Sequence, residues 1–338
     1  MTDVLQHPAT TPSSSDAAPL LQVSNLIKHY PAPGGGRDGK RVVQAVDNVS
    51  FTLRKGETLG VVGESGCGKS TLARALLRLV EPTSGQAMYK GEDLFALSAK
   101  DMRKRRCELQ MIFQDPFASL NPRMTVGQIV SEPWVIFPDI LPRAQWKPRI
   151  EELLTRVGLR AEDASRYPHQ FSGGQRQRIG IARALSVNPE VIVCDEPFSA
   201  LDVSIQAQVI NLLEDIQDQY GLSYIIIAHD LSVIRHCSDR VAVMYLGNIV
   251  EIGTWDQIYQ NPLHPYTQAL LSAMPEIRPD ERKQRIILEG EVPSPIDPPS
   301  GCRFRTRCNR AQTDCANQKP ELIIRRDSHP CACIHTST

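Results

Sequence analysis

The chain has 338 residues, a length typical of about two domains, which excludes a single small module. Its 38 Lys and Arg balance 38 Asp and Glu, so no net positive charge marks a nucleic-acid-binding protein, and we expect no nucleic-acid partner. Hydrophobic residues make up 41% of the chain, enough for a packed core, but no run reaches the roughly 18 apolar residues that span a bilayer.

The first segment, residues 1–19, is rich in Ser, Thr, Pro and Ala and lacks the charged start and apolar centre of a signal peptide. We expect it to form a disordered cytoplasmic tail. From residue 20 onward, apolar patterning predicts two strands separated by a loop at residues 31–37. These strands would open the fold as an antiparallel sheet.

An α/β core is predicted to follow. Residues 58–62 form a short apolar strand, a glycine-rich turn comes next, and residues 70–79 have apolar side chains at helical spacing. Helical segments such as residues 205–219 separate most of the remaining strands, as in α/β folds. Those buried strands are predicted at residues 109–113, 191–194, 224–228 and 241–245.

A helical subdomain is predicted within this core, at about residues 114–185, and its prolines, including Pro133, should break the helices into short pieces. The composition shifts after Pro262, and four prolines between residues 293 and 299 mark an extended linker. We therefore divide the chain after the tail into a main domain, residues 20–262, and a carboxyl-terminal domain, residues 263–338.

Residues 63–70 read Gly-Glu-Ser-Gly-Cys-Gly-Lys-Ser and match the phosphate-binding pattern GxxxxGK[ST], between a predicted strand and a predicted helix. Glycines let the backbone close around an anion, while N–H groups at the start of the helix face the phosphates. Lys69 should reach the β- and γ-phosphates, Ser70 should hold Mg²⁺, and Thr71 adds a hydroxyl. The predicted nucleotide-binding residues of this loop are Gly63, Ser65, Gly66, Cys67, Gly68, Lys69, Ser70 and Thr71.

Two acidic residues, Asp195 and Glu196, follow an apolar strand and should lie at the carboxyl edge of the sheet, beside the phosphate-binding loop. Phosphoryl transfer requires a Mg²⁺ ion and a polarised, in-line water. We assign the metal to Asp195 and the water to Glu196. His229 also follows an apolar strand, so we expect it at the same edge, in contact with the γ-phosphate.

Residues 171–178, Phe-Ser-Gly-Gly-Gln-Arg-Gln-Arg, place a hydroxyl and two glycines just before a predicted helix. This arrangement is typical of a second anion-binding helix start. An ordinary helix cap is the alternative, and the residues by themselves favour it.

In this order along the chain, the motifs resemble those of the ATP-binding subunits of ABC transporters. The tail of the sequence and two further motifs are similar to the dipeptide and oligopeptide importers of that family. The resemblance implies an ABC-type P-loop NTPase core with an antiparallel β subdomain, a helical subdomain and a small Cys-rich carboxyl-terminal domain. It rests on the phosphate-binding loop, Gln114, Ser119-Leu-Asn-Pro122, Ser172-Gly-Gly-Gln-Arg176, Asp195-Glu196, Ser199-Ala-Leu-Asp202, His229 and His264-Pro-Tyr-Thr-Gln-Ala-Leu270.

The resemblance also implies roles for single residues. ATP would be held in a head-to-tail sandwich of two cassettes, with Asp202 in the segment that crosses the seam between them. Tyr30 matches the aromatic residue that stacks on adenine, and Gln114 matches the lid glutamine that meets Mg²⁺ and senses the membrane subunits. The residues that would cover the nucleotide of the partner cassette are Ser172, Gly173, Gly174 and Gln175.

The implied partners are a second ABC ATPase subunit, preferably a different chain, two transmembrane permease subunits and, through the complex, an extracytoplasmic peptide-binding protein. The expected location is peripheral, on the cytoplasmic face of the cell membrane. The predicted function is an ATPase that powers the import of dipeptides and short peptides. A soluble ABC ATPase of translation or DNA repair is one alternative, disfavoured by the single cassette; an importer of nickel or glutathione is another.

Five of the nine cysteines lie between residues 302 and 333, in a basic segment. By the same resemblance this segment carries a [4Fe-4S] cluster, with a zinc site or free thiols as alternatives; the spacings lack the CxxC steps of zinc knuckles. Cys302, Cys308 and Cys315 are candidate ligands. Cys331 and Cys333 compete for the fourth position, and Cys333 is preferred because it matches the closing cysteine of the subfamily.

Overall fold

The computed structural model describes residues 18–32, 41–199, 201–274 and 285–336. Most of the predicted tail and of the predicted loop at residues 31–37 lies outside these ranges. The strands are β1 (Leu21–Pro31), β2 (Val42–Leu53), β3 (Thr58–Val62), β4 (Ser84–Tyr89), β5 (Glu92–Asp93), β6 (Leu109–Ile112), β7 (Val191–Asp195), β8 (Ser223–Ala228), β9 (Arg240–Tyr245), β10 (Asn248–Thr254), β11 (Ile323–Ile324) and β12 (Pro330–Cys331).

The helices alternate with these strands through the middle of the chain. They are α1 (Lys69–Leu76), α2 (Ala99–Arg105), α3 (Val126–Ile136), α4 (Trp146–Arg156), α5 (Gly173–Leu185), α6 (Val203–Tyr220), α7 (Leu231–Cys237), α8 (Trp255–Gln260) and α9 (Pro265–Ser272). The predicted core strands correspond to β3, β6, β7, β8 and β9, so the prediction of an α/β core is confirmed.

Two sheets organise the fold. The antiparallel sheet has the order β2-β1-β4-β5, and the main sheet has the order β11-β12-β10-β9-β3-β8-β7-β6. Strands β9, β3, β8, β7 and β6 run parallel, and their register pairs Val62 with Ala228 and Asp195 with Ile227. The loops that follow β3, β8, β7 and β6 therefore meet at one edge of the main sheet.

The parallel strands are buried on both faces because successive side chains point to opposite sides of the sheet. In β7, Ile192 and Cys194 pack in the core on the side of the helical layer, together with Trp134. Val193 packs in the core on the other side, where α1 contributes Leu72. This burial on two faces explains why these strands read as continuous apolar runs in the sequence.

The predicted helical subdomain contains α3, α4 and α5, but Pro133 does not break it. Helix α3 continues through Pro133. Tertiary packing holds the turn around it, because Trp134 is fully buried and its indole N–H donates to the carbonyl of Ser186 over 2.9 Å. In α4, Pro148 lies in the first turn, where its missing N–H needs no helical partner. The prediction of a break at Pro133 is therefore wrong.

The carboxyl-terminal segment, described at residues 263–274 and 285–336, is attached to the main sheet. Its strand β12 pairs with β10 and extends the sheet. Glu251 in β10 is fully buried and accepts hydrogen bonds from the N–H groups of Leu263 (2.7 Å) and His264 (3.0 Å). His329 Nε2 lies 3.0 Å from the same carboxylate, a close contact without hydrogen-bond geometry. One buried acid thus holds residues from both ends of this segment.

His264 caps α9, where its Nδ1 accepts a hydrogen bond from the N–H of Tyr266 over 3.1 Å. Burial lowers the pKa of His264 to about 4, although Glu251 opposes the shift. The imidazole is therefore neutral at physiological pH, as an acceptor nitrogen must be.

We expect His264 to make the fold less stable in mild acid. Its folded pKa of about 4 lies below the roughly 6.5 of an unfolded histidine, so the unfolded chain binds more protons between these values. The contribution of the neutral, buried imidazole to the free energy of unfolding is complete above about pH 6.5, and it is lost as the pH falls toward the folded pKa. His264→Asn should flatten the pH dependence of the free energy of unfolding, measured by urea denaturation between about pH 7 and pH 5.

The matched control for this prediction is the exposed His169, where His169→Asn should keep the pH dependence of the parent protein. A His264→Asn variant with the pH dependence of the parent would show that burial of this imidazole does not contribute.

Candidate functional site

The phosphate-binding loop, residues 63–68, connects β3 to α1 and requires glycine at its last position. Gly68 has φ +107°, a conformation that L side chains rarely adopt. A Cβ atom at Gly68 would lie 1.9 Å from the carbonyl oxygen of Ala45 in β2. The backbone of β2 therefore packs directly against the loop at Gly68.

Lys69, the first residue of α1, is buried and curls back onto the loop. Its ammonium donates to the carbonyl oxygens of Gly63 (2.7 Å) and Glu64 (3.0 Å) and lies 3.8 Å from Cys67 Sγ. The site therefore combines a positive charge with the unpaired N–H groups of a helix start, which favours an anion. Burial raises the pKa of the Cys67 thiol, so Cys67 is not a reactive thiolate.

Ser70 and Asp195 meet beside the loop, although 125 positions separate them in the sequence. The Ser70 hydroxyl donates to Asp195 Oδ1 over 2.7 Å. Asp195 is only 1% exposed, and its Oδ2 has no hydrogen-bond partner among the described residues. Carboxylate and hydroxyl oxygens are the hard ligands that Mg²⁺ prefers, so the residues present fit this ion.

Glu196 lies next to this pair in an unusual backbone conformation, with φ +47°. Its N–H donates to the carbonyl of Ile227 in β8 over 3.0 Å, which anchors the residue to the sheet. The side-chain amide of Gln114 donates to Glu196 Oε2 over 2.9 Å, and His229 Nδ1 lies 4.0 Å from the same oxygen. The structure thus brings Gln114, Glu196 and His229 together at the edge where β6, β7 and β8 end.

The segment Ser172–Gln175 forms a cap at the start of α5. The Ser172 hydroxyl accepts a hydrogen bond from the N–H of Gln175, and Gln175 Oε1 accepts one from the N–H of Ser172. Both residues are exposed, whereas a Cβ at Gly174 would lie 2.5 Å from Ile205 of α6. Ser172 therefore caps its own helix, and Ser172 and Gln175 at the capped end face solvent.

The other predicted site residues lie around the loop. Tyr30 pairs with Val43 in the β1–β2 register, two positions from Ala45, and the ammonium of Lys28 lies 4.7 Å from the centre of its ring. Ser65 and Gly66 are exposed at the tip of the loop, and Thr71 lies in the first turn of α1. Asp202 is the exposed N-cap of α6, without a side-chain capping bond.

Four cysteines of the carboxyl-terminal segment line one cavity, and the fifth does not. Cys331 is fully buried in β12, opposite Glu251. Burial raises the pKa of Cys302 to about 11 and also raises the pKa of Cys308. The cysteines around the cavity are Cys302, Cys308, Cys315 and Cys333.

Sequence reasoning missed the contacts between this segment and the phosphate-binding loop. Arg307 forms a bidentate ion pair with Glu64, with N–O distances of 2.7 and 3.1 Å, and Tyr266 Oη accepts a hydrogen bond from the N–H of Glu64 over 2.9 Å. Arg303 and Lys319 both pair with Asp47 of β2. The basic composition of the segment indicates that it pairs with acidic residues. The spacing of residues along the chain does not show which acids these are, because Arg307 and Glu64 lie 243 positions apart.

Comparison with known families agrees with this geometry. The sequence matches the ABC transporter family over residues 46–199 and the oligopeptide/dipeptide transporter carboxyl-terminal region over residues 250–315. It is 54% identical to the oligopeptide transport ATP-binding protein AppF of Bacillus subtilis, over 93% of this chain and 96% of that protein. It is 53% identical to the dipeptide transport ATP-binding protein DppF of Escherichia coli, over 90% and 91%.

Comparison with solved structures gives the same fold. The chain is similar to the ATP-binding cassette MJ0796 in a dimeric, post-hydrolysis state bound to ADP and Pi, with a TM-score of 0.62 and 27% identity. The similarity covers 70% of this chain and 98% of the cassette. The predicted cassette fold is confirmed.

We expect Gly68→Ala to abolish nucleotide binding. The added Cβ meets the Ala45 carbonyl and the backbone is strained at φ +107°, so the loop must move. Gly91→Ala is the matched control, because Gly91 has φ +82° but open space around its Cβ. Titration with a fluorescent ATP analogue should show parent-like binding by Gly91→Ala and no binding by Gly68→Ala. Normal binding by Gly68→Ala would mean that the loop tolerates the added Cβ.

Proposed function

Because this chain belongs to the ABC transporter family, we propose that it hydrolyses ATP to power the import of dipeptides and other short peptides. The observation that carries this proposal is the convergence of Ser70, Asp195, Glu196 and His229 around the phosphate-binding loop. The match to the oligopeptide/dipeptide transporter region and the relatives named for peptide transport favour this cargo over nickel or glutathione. They also favour transport over a soluble role in translation or DNA repair.

The contacts of the site suggest how each residue acts. Lys69 exchanges the carbonyls of Gly63 and Glu64 for the β- and γ-phosphates, because phosphate oxygens carry full negative charge. Ser70 and Asp195 would hold Mg²⁺, which would neutralise phosphate charge when bound. Glu196 orients and polarises the attacking water.

Two side chains lie beside Glu196, and in this proposal Gln114 controls access to its carboxylate while His229 contacts the nucleotide. Gln114 now donates to its carboxylate, so a movement of Gln114 toward the nucleotide releases that oxygen for the water. His229 is 60% exposed and lies at the same edge, within reach of the γ-phosphate. The remaining loop residues contribute backbone N–H groups, and Tyr30 stacks on the adenine.

A second cassette completes the site. Ser172 and Gln175 are exposed at the start of α5, and this helix start, with Gly173 and Gly174, suits the phosphates bound by a partner. Beside this cap, Phe117 is 56% exposed and stacks on Arg176 at 4.1 Å, and Val203, next to Asp202, is 82% exposed. An apolar surface around a phosphate-binding cap is typical of a protein interface. We favour a different chain as the partner.

Membrane subunits supply the translocation path. Within the part of the chain that the structure describes, no helix has both the length and the apolar character to cross a bilayer. Because its relatives are named as ATP-binding proteins of peptide transport, we place this subunit peripherally, on the cytoplasmic face of the cell membrane, bound to two permease subunits. An extracytoplasmic peptide-binding protein delivers cargo to the same complex.

We expect Glu196→Gln to trap ATP without hydrolysing it. The amide keeps the shape of the side chain but cannot accept a proton from water, so turnover should fall by at least about 100-fold while ATP binding survives. Glu190→Gln, just before β7, removes the same charge away from the site and should retain the parent rate. ATPase assays and nucleotide retention in complexes purified in detergent measure both effects; hydrolysis by Glu196→Gln at the parent rate contradicts the assignment.

The same purified complexes test the partners. Two permease chains and a second, different cassette should co-purify with this chain. Full peptide-stimulated activity with this chain as the only cassette would exclude the heteromeric arrangement, and co-purification with ribosomes instead of membranes would exclude transport.

For the carboxyl-terminal domain, residues 263–338, we propose a [4Fe-4S] cluster held by Cys302, Cys308, Cys315 and Cys333. These four thiols line one cavity, whereas Cys331 lies in β12 and faces Glu251. A zinc ion bound by four thiolates at about 2.3 Å would bring their sulfur atoms within roughly 4 Å of one another. The one group of such ligand atoms within 4.8 Å among the described residues is Asp314, Cys315 and His335. No three of the four thiols therefore lie within 4.8 Å of one another in the described structure, which favours the cluster over zinc.

The proposed role of the cluster is structural. Iron–sulfur ligation by four thiolates cross-links a short segment that has little core of its own. Two residues between its ligands, Arg303 and Arg307, form ion pairs with the rest of the protein.

We expect anaerobically purified protein to be brown and to contain about four irons per chain. Cys302→Ser should lose this iron, since its thiol lines the cavity, and the matched Cys331→Ser should retain it. Iron analysis and the visible absorption spectrum are the measurements. A colourless, zinc-loaded protein would exclude the cluster, and loss of iron in Cys331→Ser alone would reassign the fourth ligand.

A further inference from the structure

Glu64 places a carboxylate within the loop that must receive the phosphates of ATP. Its carbonyl oxygen lies 3.0 Å from the ammonium of Lys69, so the residue belongs to the immediate surroundings of the anion site. A carboxylate at this position repels a phosphate unless a positive charge compensates it. The phosphate-binding pattern allows any residue here and therefore does not require an acid.

Arg307 supplies that compensating charge from the carboxyl-terminal segment. Its two terminal nitrogens lie 2.7 and 3.1 Å from the two oxygens of Glu64, the fork geometry that gives strong and directional pairs. The Arg307 side chain is only 9% exposed, and its guanidinium lies 6.0 Å from the centre of the Tyr245 ring. Exposed ion pairs contribute little to stability. This pair differs because the arginine side chain is shielded from water, so breaking the pair would leave a charged group without a partner.

Tyr266 holds the backbone of the same residue. Its hydroxyl accepts a hydrogen bond from the N–H of Glu64 over 2.9 Å. The Tyr266 ring is fully buried and packs against Tyr245, at 4.7 Å, and Phe304, at 5.4 Å between ring centres. Phe304 and Arg307 belong to the same short stretch of the segment, so one aromatic cluster fixes both contacts to Glu64.

We propose that Arg307 is a positioning residue for the phosphate-binding loop, through which the carboxyl-terminal segment sets the affinity of this chain for ATP. By holding and neutralising Glu64, Arg307 keeps the carboxylate away from the phosphates and the Glu64 carbonyl in place beside Lys69. Coupling of this kind is reciprocal, so ATP binding stabilises the docked segment by the same free energy. The inference depends on ATP binding at the loop and not on the metal content of the segment.

The test measures ATP affinity of the full chain by titration with a fluorescent ATP analogue. Arg307→Met should raise the Kd about tenfold, a coupling of ordinary size between two sites. Arg307→Lys should have an intermediate Kd, because lysine keeps the charge but loses the fork. The double variant Glu64→Gln/Arg307→Met removes both charges and should return to within about twofold of the parent Kd.

The matched control is Arg305→Met, which removes the same charge from the same segment, where the guanidinium donates to Ser300. Its Kd should stay within about twofold of the parent value. Lys69→Ala should lose nucleotide binding, which verifies that the assay measures binding at the phosphate-binding loop. If Lys69→Ala bound ATP normally, the proposed nucleotide site itself would be wrong, whatever the result for Arg307. In the assembled transporter, Arg307→Met should raise KM for ATP and leave kcat at saturating ATP within about twofold of the parent.

Two results would overturn the proposal. One is an Arg307→Met variant whose Kd equals that of Arg305→Met. The other is a double variant that binds ATP as weakly as Arg307→Met alone, which would mean that lost packing and not the uncompensated carboxylate weakens binding.

Discussion

The parallel register of β3, β8, β7 and β6 is the constraint on which the site depends. Ladder hydrogen bonds fix Val62 beside Ala228 and Asp195 beside Ile227, so the residues that follow these strands must emerge at one edge. Because the strands are buried on both faces, a one-residue slip would move their side chains into the wrong core, which makes the register rigid. A rigid edge brings Ser70 to 2.7 Å from Asp195.

In the proposed function, the site assembled on that edge is half of a complete one. The loop holds an ammonium and a helix start, and the carboxylates of Asp195 and Glu196 stand beside it. The helix start at Ser172, which we propose as the second anion-binding surface, is exposed and capped by its own Gln175. Division of the site between two chains ties hydrolysis to the approach of a partner, which is how a peripheral ATPase can transmit force to membrane subunits.

The carboxyl-terminal segment is bound by charges that the core provides. Burial by itself would raise the pKa of Asp47, but a hydrogen bond from Lys319 and the charge of Arg303 outweigh it and hold the pKa below its usual value. Glu251 accepts hydrogen bonds at the beginning of the segment and contacts His329 near its end. Arg307 makes the third attachment at Glu64. The basic composition of this segment therefore serves internal pairing, and one of the pairs lies in the nucleotide site.

Periodicity and short motifs are local patterns that a linear chain displays, and they are enough to predict the core strands, the phosphate-binding loop and the kind of chemistry. The sequence also placed Asp195, Glu196 and His229 at strand ends, from which their convergence could be inferred. Three features emerge from the folded chain alone: α3 continues through Pro133, Cys331 lies in β12 and not at the cavity, and Arg307 pairs with Glu64. These features depend on packing and charge between residues far apart in the chain, and no local pattern records which distant partner a side chain will meet.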